Sequence, residues 1–176
     1  MLESGFARYL CWEVARAAGR LRWTAVAYVN YGCKGEVNRG FHWVYVPEAR
    51  FPFYRVGSYS NAAPHLAPAG HGSLYVETAA ATLSVDWETL LPRVRAGLLE
   101  AGLIDSEEDI VVEDPRVIPM AYVVFDHAYY EARATITAFL EECGIAGIGR
   151  YGRWTYGSME DALVDGRRAA VACADR

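Results

Sequence analysis

Both alternating sets of side chains in the run Leu21–Tyr31 are largely apolar. Trp23, Ala25, Ala27, Val29 and Tyr31 make one set, and Thr24, Val26, Tyr28 and Asn30 the other. A strand of this composition needs cover on both faces, which places it centrally in a sheet. It also needs neighbours. Phe41–Val46, ended by Pro47, Phe53–Ser60 and Ser73–Thr78 have the aromatic and β-branched composition to supply them. A polar turn, Gly32–Gly40, and a loop rich in Pro, Ala, Gly and His, Asn61–Gly72, separate these runs. Short strands on short connections pair most simply as antiparallel neighbours. Ile110–Val112 and an extended run, Val117–Phe125, interrupted by Pro119, complete the strand candidates.

Helical spacing marks the remaining elements. Residues 2–19 place Phe6, Leu10, Val14 and Ala17 or Ala18 on one face, with Gly19 as a stop. Asp86 suits the N-cap of a helix reaching Ala101, with Trp87, Leu90, Leu91, Val94 and Leu98 in phase. Pro92 inside it is a place for a kink, and Gly102 ends it. An acidic segment, Asp105–Asp109, follows. Tyr129–Cys143 carries Tyr129, Ala132, Ile136, Phe139 and Leu140 on one face, and Gly144 ends it. A last helix opens near Ser158. The fold class is therefore α+β: a mostly antiparallel sheet of five to seven strands with three or four packed helices, in a single domain over residues 1–176.

Composition narrows the function classes. At 176 residues the chain can build one real core, and 53% hydrophobic against 22% charged residues argues for a folded chain. The net charge is -5, and the 17 Lys and Arg are scattered, so the basic stripe of a nucleic-acid binder is missing. No apolar run approaches the roughly 20 residues of a membrane-spanning helix. The opening Met1-Leu-Glu-Ser-Gly5 lacks the basic and apolar regions of a signal peptide. Cys11, Cys33, Cys143 and Cys173 form no CxxC and no zinc spacing. Reduced, mostly buried thiols in a cytoplasmic protein are expected. The 12 Tyr and 5 Trp suit strands, and they also suit a pocket, since each joins an apolar body to a polar tip.

The stretch with most chemical content runs from Gly149-Arg150-Tyr151-Gly152 to Tyr156-Gly157-Ser158-Met159-Glu160. A glycine- and aromatic-rich turn leads into a helix start, and Ser158 with Asp161 makes a capping-box pattern. The first amides of such a helix favour an anion or a carbonyl oxygen in front of them. Ala162, Gly166, Ala169, Ala170 and Ala172 let the helix lie close to a neighbour. Gly147-Ile-Gly149-Arg-Tyr-Gly152 matches G-x-G-x-x-G, but the dinucleotide fingerprint needs a helix opening at its last glycine and a second strand. Here the helix opens too late and no strand follows, so no Rossmann unit is present. Arg55, in the middle of a strand, must be paired, with Glu77 the obvious partner, or must face a ligand. The Arg150 guanidinium suits phosphate or carboxylate; otherwise it is an exposed loop arginine. Asp114, Asp126 and His127 read as solvated loop residues. His65 and His71 have no third metal ligand, and Ser58, Ser60 and Ser73 have no nucleophile-elbow context.

Several of these stretches together carry a resemblance. Phe53-Tyr-Arg55-Val-Gly-Ser-Tyr-Ser-Asn61, Pro64-His-Leu-Ala-Pro68 and Gly72-Ser-Leu-Tyr-Val-Glu77 resemble the C-terminal half of FAD-dependent oxidoreductases of the amine oxidase and protoporphyrinogen oxidase superfamily. Ala121-Tyr122-Val-Val124 and Gly149 through Glu160 are similar to the matching end of UDP-galactopyranose mutases. The resemblance spans roughly Leu21 to Ala170. It implies that Gly149, Gly152, Ser158, Met159 and Glu160 lie against the flavin, that Arg55 is near it, and that Tyr122, Arg150 and Tyr156 contact a small-molecule substrate. The mutase pattern has an acidic residue at the place of Ser158 and a proline at the place of Val123, which favours a relative with another substrate. The resemblance further implies a separate Rossmann half that holds the FAD. The chain is then the substrate-side portion of an FAD enzyme, inactive alone, with an uncovered face open to self-association. A flavin-dependent sugar-nucleotide mutase fragment and a non-catalytic ligand-binding or interaction module are the alternatives.

Overall fold

The computed structural model describes residues 12–35, 37, 40–80 and 84–174. They form two compact units. One is Ala25–Ala121; the other comprises the described residues up to Thr24 and from Tyr122 onward.

The first unit carries most of a five-stranded sheet. Its strands are β1 (Trp23–Lys34), β2 (Trp43–Tyr45), β3 (Arg55–Ser58), β4 (His71–Ala80) and β5 (Ile110–Val123), in the order β2-β3-β4-β1-β5. β2 with β3, β3 with β4, and β4 with β1 are antiparallel. Cross-strand partners share a face. Val44, Val56, Val76 and Val29 therefore make one row across four strands, and all but half-buried Val44 are sealed from solvent. This face joins Tyr31, Cys33 and Leu74 to Val94 and Leu98 of α3 (Trp87–Glu100) in the core.

α3 forms where expected. The Asp86 carboxylate accepts from the Thr89 amide at 3.1 Å. The helix continues through Pro92. It ends with Gly102 N–H donating to Leu99 O and Leu103 N–H to Leu98 O, the paired bonds of a Schellman motif. The Thr89 side chain and amide hold the Asp86 carboxyl below the usual carboxylate range.

The second unit is helical: α1 (Trp12–Ala18), α4 (Tyr129–Glu142), the single turn α5 (Gly149–Gly152) and α6 (Met159–Ala174). Val14 and Ala17 on α1, and Tyr129 and Ala132 on α4, are its buried side chains. α4 ends at Gly144 with the same pair of Schellman bonds, to Glu141 O and Leu140 O. With the one-turn α2 (Tyr59–Ala62), the described residues hold four helices of seven residues or more and two single turns. The α+β class with a mostly antiparallel sheet is as expected.

Four local expectations need correction. The strand over Phe53–Ser60 stops at Ser58, whose hydroxyl accepts from the Asn61 amide and starts α2. The runs Ile110–Val112 and Val117–Phe125 are one strand, β5, which runs through Pro115 and Pro119. β5 is the last strand of the sheet, and an edge strand can turn a proline's missing donor outward. β1 lies inside the sheet as expected but is covered unevenly: Ala27, Val29, Tyr31 and Cys33 are buried on one face, while on the other Val26 is buried and Tyr28, Asn30 and Gly32 are partly exposed. Of the cysteines, Cys33 is buried, and burial with nearby Asp109 pushes its thiol up to about 11. Cys143 and Cys173, at the ends of α4 and α6, are exposed. Cys11, Phe6 and Leu10 lie outside the described residues.

Candidate functional site: a glycine turn and helix start

In the helical unit, one carboxylate organises the glycine turn. Asp165 on α6 accepts from the Gly149 amide at 3.2 Å and from Arg153 Nη1 at 2.9 Å. Its side chain is only 11% exposed, while that of Arg153 is 44% exposed. The turn also closes on itself. A Cβ at Gly147 would meet Gly152 O at 2.3 Å, so no other residue fits there without a shift of backbone. Arg133 of α4 donates to Arg153 O at 2.8 Å, and the Tyr129 hydroxyl to Trp154 O at 2.8 Å. The core of the unit thus fixes the end of the turn.

Trp154 bears the strain of this arrangement. Its φ of 46° lies in the left-handed region, costly for a bulky residue. An edge-on contact with Trp23, ring centroids 5.9 Å apart, holds the indole, whose buried Nε1 has no hydrogen-bond partner among the described residues.

The expected capping box is present in full. Ser158 Oγ accepts from the Asp161 amide at 3.1 Å, and the Asp161 carboxylate accepts from the Ser158 amide at 2.7 Å and its hydroxyl at 2.8 Å. These bonds, the backbone one foremost, hold the Asp161 carboxyl below the usual range.

A cleft of about 460 Å³ opens between the turn and the helix start. Gly149, Arg150, Tyr156, Ser158 and Glu160, all singled out from sequence, line it together with Arg153, Asp161 and Asp165. Arg150 Nη2 donates to Gly157 O at 2.8 Å. Its guanidinium carbon lies 5.5 Å from the Tyr122 ring centre and 5.1 Å from that of Tyr156, and the two rings stack 6.1 Å apart. Arg150, Tyr122 and Tyr156 therefore form one cation–π triad. Gly152 sits against Gly147 on the far side of the turn, and Met159 is 87% exposed on the first turn of α6. Sequence reading missed Asp165, Arg153 and Trp154. Asp161 and Asp165 stand four apart on one helix face, a spacing that signals a shared role.

Arg55 belongs to the sheet unit. It lies directly opposite Glu77, to which its Nε donates at 2.9 Å and its Nη2 in a second, short contact. Tyr54 OH donates to the other Glu77 oxygen at 2.8 Å. Of the two readings of Arg55, the ion pair is the one seen. The pair sits in a row, Tyr45-Arg55-Glu77-Tyr28, on the sheet face away from the core. A second row, Trp43-Gly57-Tyr75-Asn30, runs beside it, with the Tyr75 ring over Gly57 where a Cβ would meet it at 2.1 Å. Tyr59 packs on Tyr75 at 4.7 Å, and Trp43 and Tyr45 are more than half exposed. The face is aromatic, and its charge is neutralised in place.

The other candidates have structural partners or remain exposed. Asp114 is on β5, not in a loop, and binds Arg116 and Asn30. The Asp126 carboxylate accepts from the Ala128 amide, and His127 is exposed. No cluster of three or more metal-ligating side chains occurs among the described residues, and no helix among them is long and apolar enough to cross a membrane.

No protein-family model and no curated protein matches the sequence. Solved structures do match. The structure is similar to that of a reduced UDP-galactopyranose mutase, with a TM-score of 0.70 and 26% identity over 80% of this chain. A protein of Pyrococcus furiosus aligns over 82% of this chain and 38% of its own length, at 13% identity and a TM-score of 0.46. The chain spans 31% of the mutase it matches. It has the fold of part of a UDP-galactopyranose mutase, in keeping with the flavoprotein type implied by the sequence resemblance.

Proposed function

We propose that this chain is the substrate-side portion of an FAD-dependent oxidoreductase of the amine oxidase-like kind, and that it is not catalytically competent alone. The reading rests on one observation above all: five residues chosen by the family motif line a single cleft, in a fold shared with a UDP-galactopyranose mutase.

The residues fit one part of the cofactor better than another. The cleft holds Arg150 and Arg153 against Glu160, Asp161 and Asp165, and Arg153 is paired with Asp165. That balance suits a neutral ring with carbonyl oxygens and disfavours a diphosphate. Met159 and Glu160 contribute opening amides of α6 where the helix dipole favours such an oxygen. Gly149, Ser158 and Glu160 would then hold the flavin edge. The bound flavin supplies hydride acceptance. Tyr122, Arg150 and Tyr156 would orient substrate. A Rossmann half, which would hold the rest of the FAD, is the partner that this reading requires.

Two measurements test it. Lumiflavin, the ring without its phosphate, should bind the purified chain, with affinity lost in Ser158→Pro or Gly149→Val. No binding sinks the flavin role, and a stoichiometric, tightly held FAD on the isolated chain sinks the portion role.

The mutase likeness favours a second reading, a flavin-dependent sugar-nucleotide isomerase fragment. It requires Arg150 to contact a diphosphate. Equal UDP-galactose affinity in the wild type and in Arg150→Ala, measured in the presence of the missing half, excludes it.

A further inference from the structure

Within the helical unit, between α4 and the glycine turn, lies a further cavity of about 270 Å³. It is smaller than a drug-sized ligand site, so its occupant is a molecule of a few heavy atoms. α4 contributes Arg133, Thr137, Leu140 and Glu141, which at i, i+4, i+7 and i+8 share one helix face. Ile145 and Arg153 are among the residues that close it from the chain beyond α4. Arg153 also lines the cleft beside Ser158, so the two cavities meet at one side chain.

Arg133 Nε donates to Arg153 O at 2.8 Å, and its guanidinium carbon lies 6.0 Å from the Tyr129 ring centre. These contacts hold the guanidinium at the wall of the cavity. Its two Nη groups have no hydrogen-bond or ion-pair partner among the described residues. Arg153 differs, because Asp165 neutralises it. The unbalanced charges of the cavity are therefore Arg133 and, about two helical turns further along α4, Glu141. Its apolar part comes from the end of α4. Leu140 and Ile145 are joined by the Ile145 amide to Leu140 O bond, and they hold the two positions whose side chains a Schellman motif brings together. Ile145 is 40% exposed, apolar surface that a ligand can cover.

We propose that this cavity binds a small monocarboxylate with a short apolar body. With Nε committed, the two Nη groups of Arg133 form the fork that a planar carboxylate matches. Leu140 and Ile145 take the body. Glu141 repels a second negative charge, which selects a monoanion over a phosphate dianion. A neutral molecule of the same shape leaves Arg133 without its counterion.

The test uses the whole chain without flavin, so it is independent of the proposed enzyme role. Isovalerate, acetate, inorganic phosphate and isoamyl alcohol are titrated at constant ionic strength and pH 8, while arginine Nε–H and backbone amide NMR signals are followed. Isovalerate should give saturable shifts at Arg133 and over residues 145–153, and it should bind more tightly than the other three. Arg133→Gln should weaken isovalerate about tenfold, the loss of a charge-assisted contact. Glu141→Gln should tighten it about twofold, the gain from removing an exposed like charge. That opposite sign separates a ligand site from a loss of structure, and Glu141 is exposed, so its variant keeps the fold even if Arg133→Gln does not. Isovalerate shifts that do not saturate, phosphate or isoamyl alcohol binding as tightly as isovalerate, unchanged affinity in a folded Arg133→Gln, or unchanged or weaker affinity in Glu141→Gln each overturn the proposal.

Discussion

At Arg55 a single side chain distinguishes a structural from a ligand-facing role. The Arg55 and Glu77 side chains are 22% and 11% exposed, so removing one leaves the other largely out of water. Breaking a fully buried pair costs about 3–5 kcal/mol; with this exposure Arg55→Met should cost about 2–3 kcal/mol in urea unfolding. The double variant Arg55→Met with Glu77→Gln should lose less than the single one, because no carboxylate is then stranded. Equal losses would show that Arg55 acts through packing on Tyr45, 5.9 Å from its guanidinium, and not through charge. Sequence could take Arg55 only to two alternatives. Glu77 was nameable as a partner because both residues lie in strand-like runs, but the register that sets them opposite is a property of the sheet. Trp154 was illegible for a related reason: nothing local favours a left-handed tryptophan, and Trp23 and Tyr129, distant in sequence, hold it there.

Among the elements, α6 depends most on its own ends. None of its side chains is buried, although Met159–Ala174 is 16 residues long. A helix without a buried face relies on local signals, and the Ser158–Asp161 box is the strongest of these. The Asp161 carboxyl is held below its unfolded value of 3.8, so its contribution is complete above that value and is lost as pH falls through the folded one. Amide exchange in the first turn of α6 should therefore be steady near neutral pH and accelerate in acid. In Asp161→Asn the first turn should already exchange faster at neutral pH, with the acid dependence flattened; an unchanged profile would falsify the cap's role. Such end signals were legible: Asp86, Gly102, Gly144 and Ser158 all stand where sequence placed them, because caps act within a few residues. β5 was not, since Pro115 and Pro119 exclude a central strand and only the sheet order reveals an edge.

For the whole molecule, the exposed apolar side chains of α6 set the expected behaviour in solution. Met159, Leu163 and Val171 are 87%, 75% and 58% exposed on one helix, beyond the scattered apolar residues of an ordinary surface. If a Rossmann half is the natural cover, the chain alone leaves this surface to water and should self-associate with rising concentration. Sedimentation velocity should show a weight-average mass that grows above the 19.5 kDa of one chain. Met159→Glu with Leu163→Glu should return the mass to one chain at every concentration, with far-UV circular dichroism unchanged, since neither side chain is buried. A wild-type chain that stays at one mass across that range removes the reason to expect a covering partner on α6, and the cleft beside Ser158 must then be understood as a site that stands on its own.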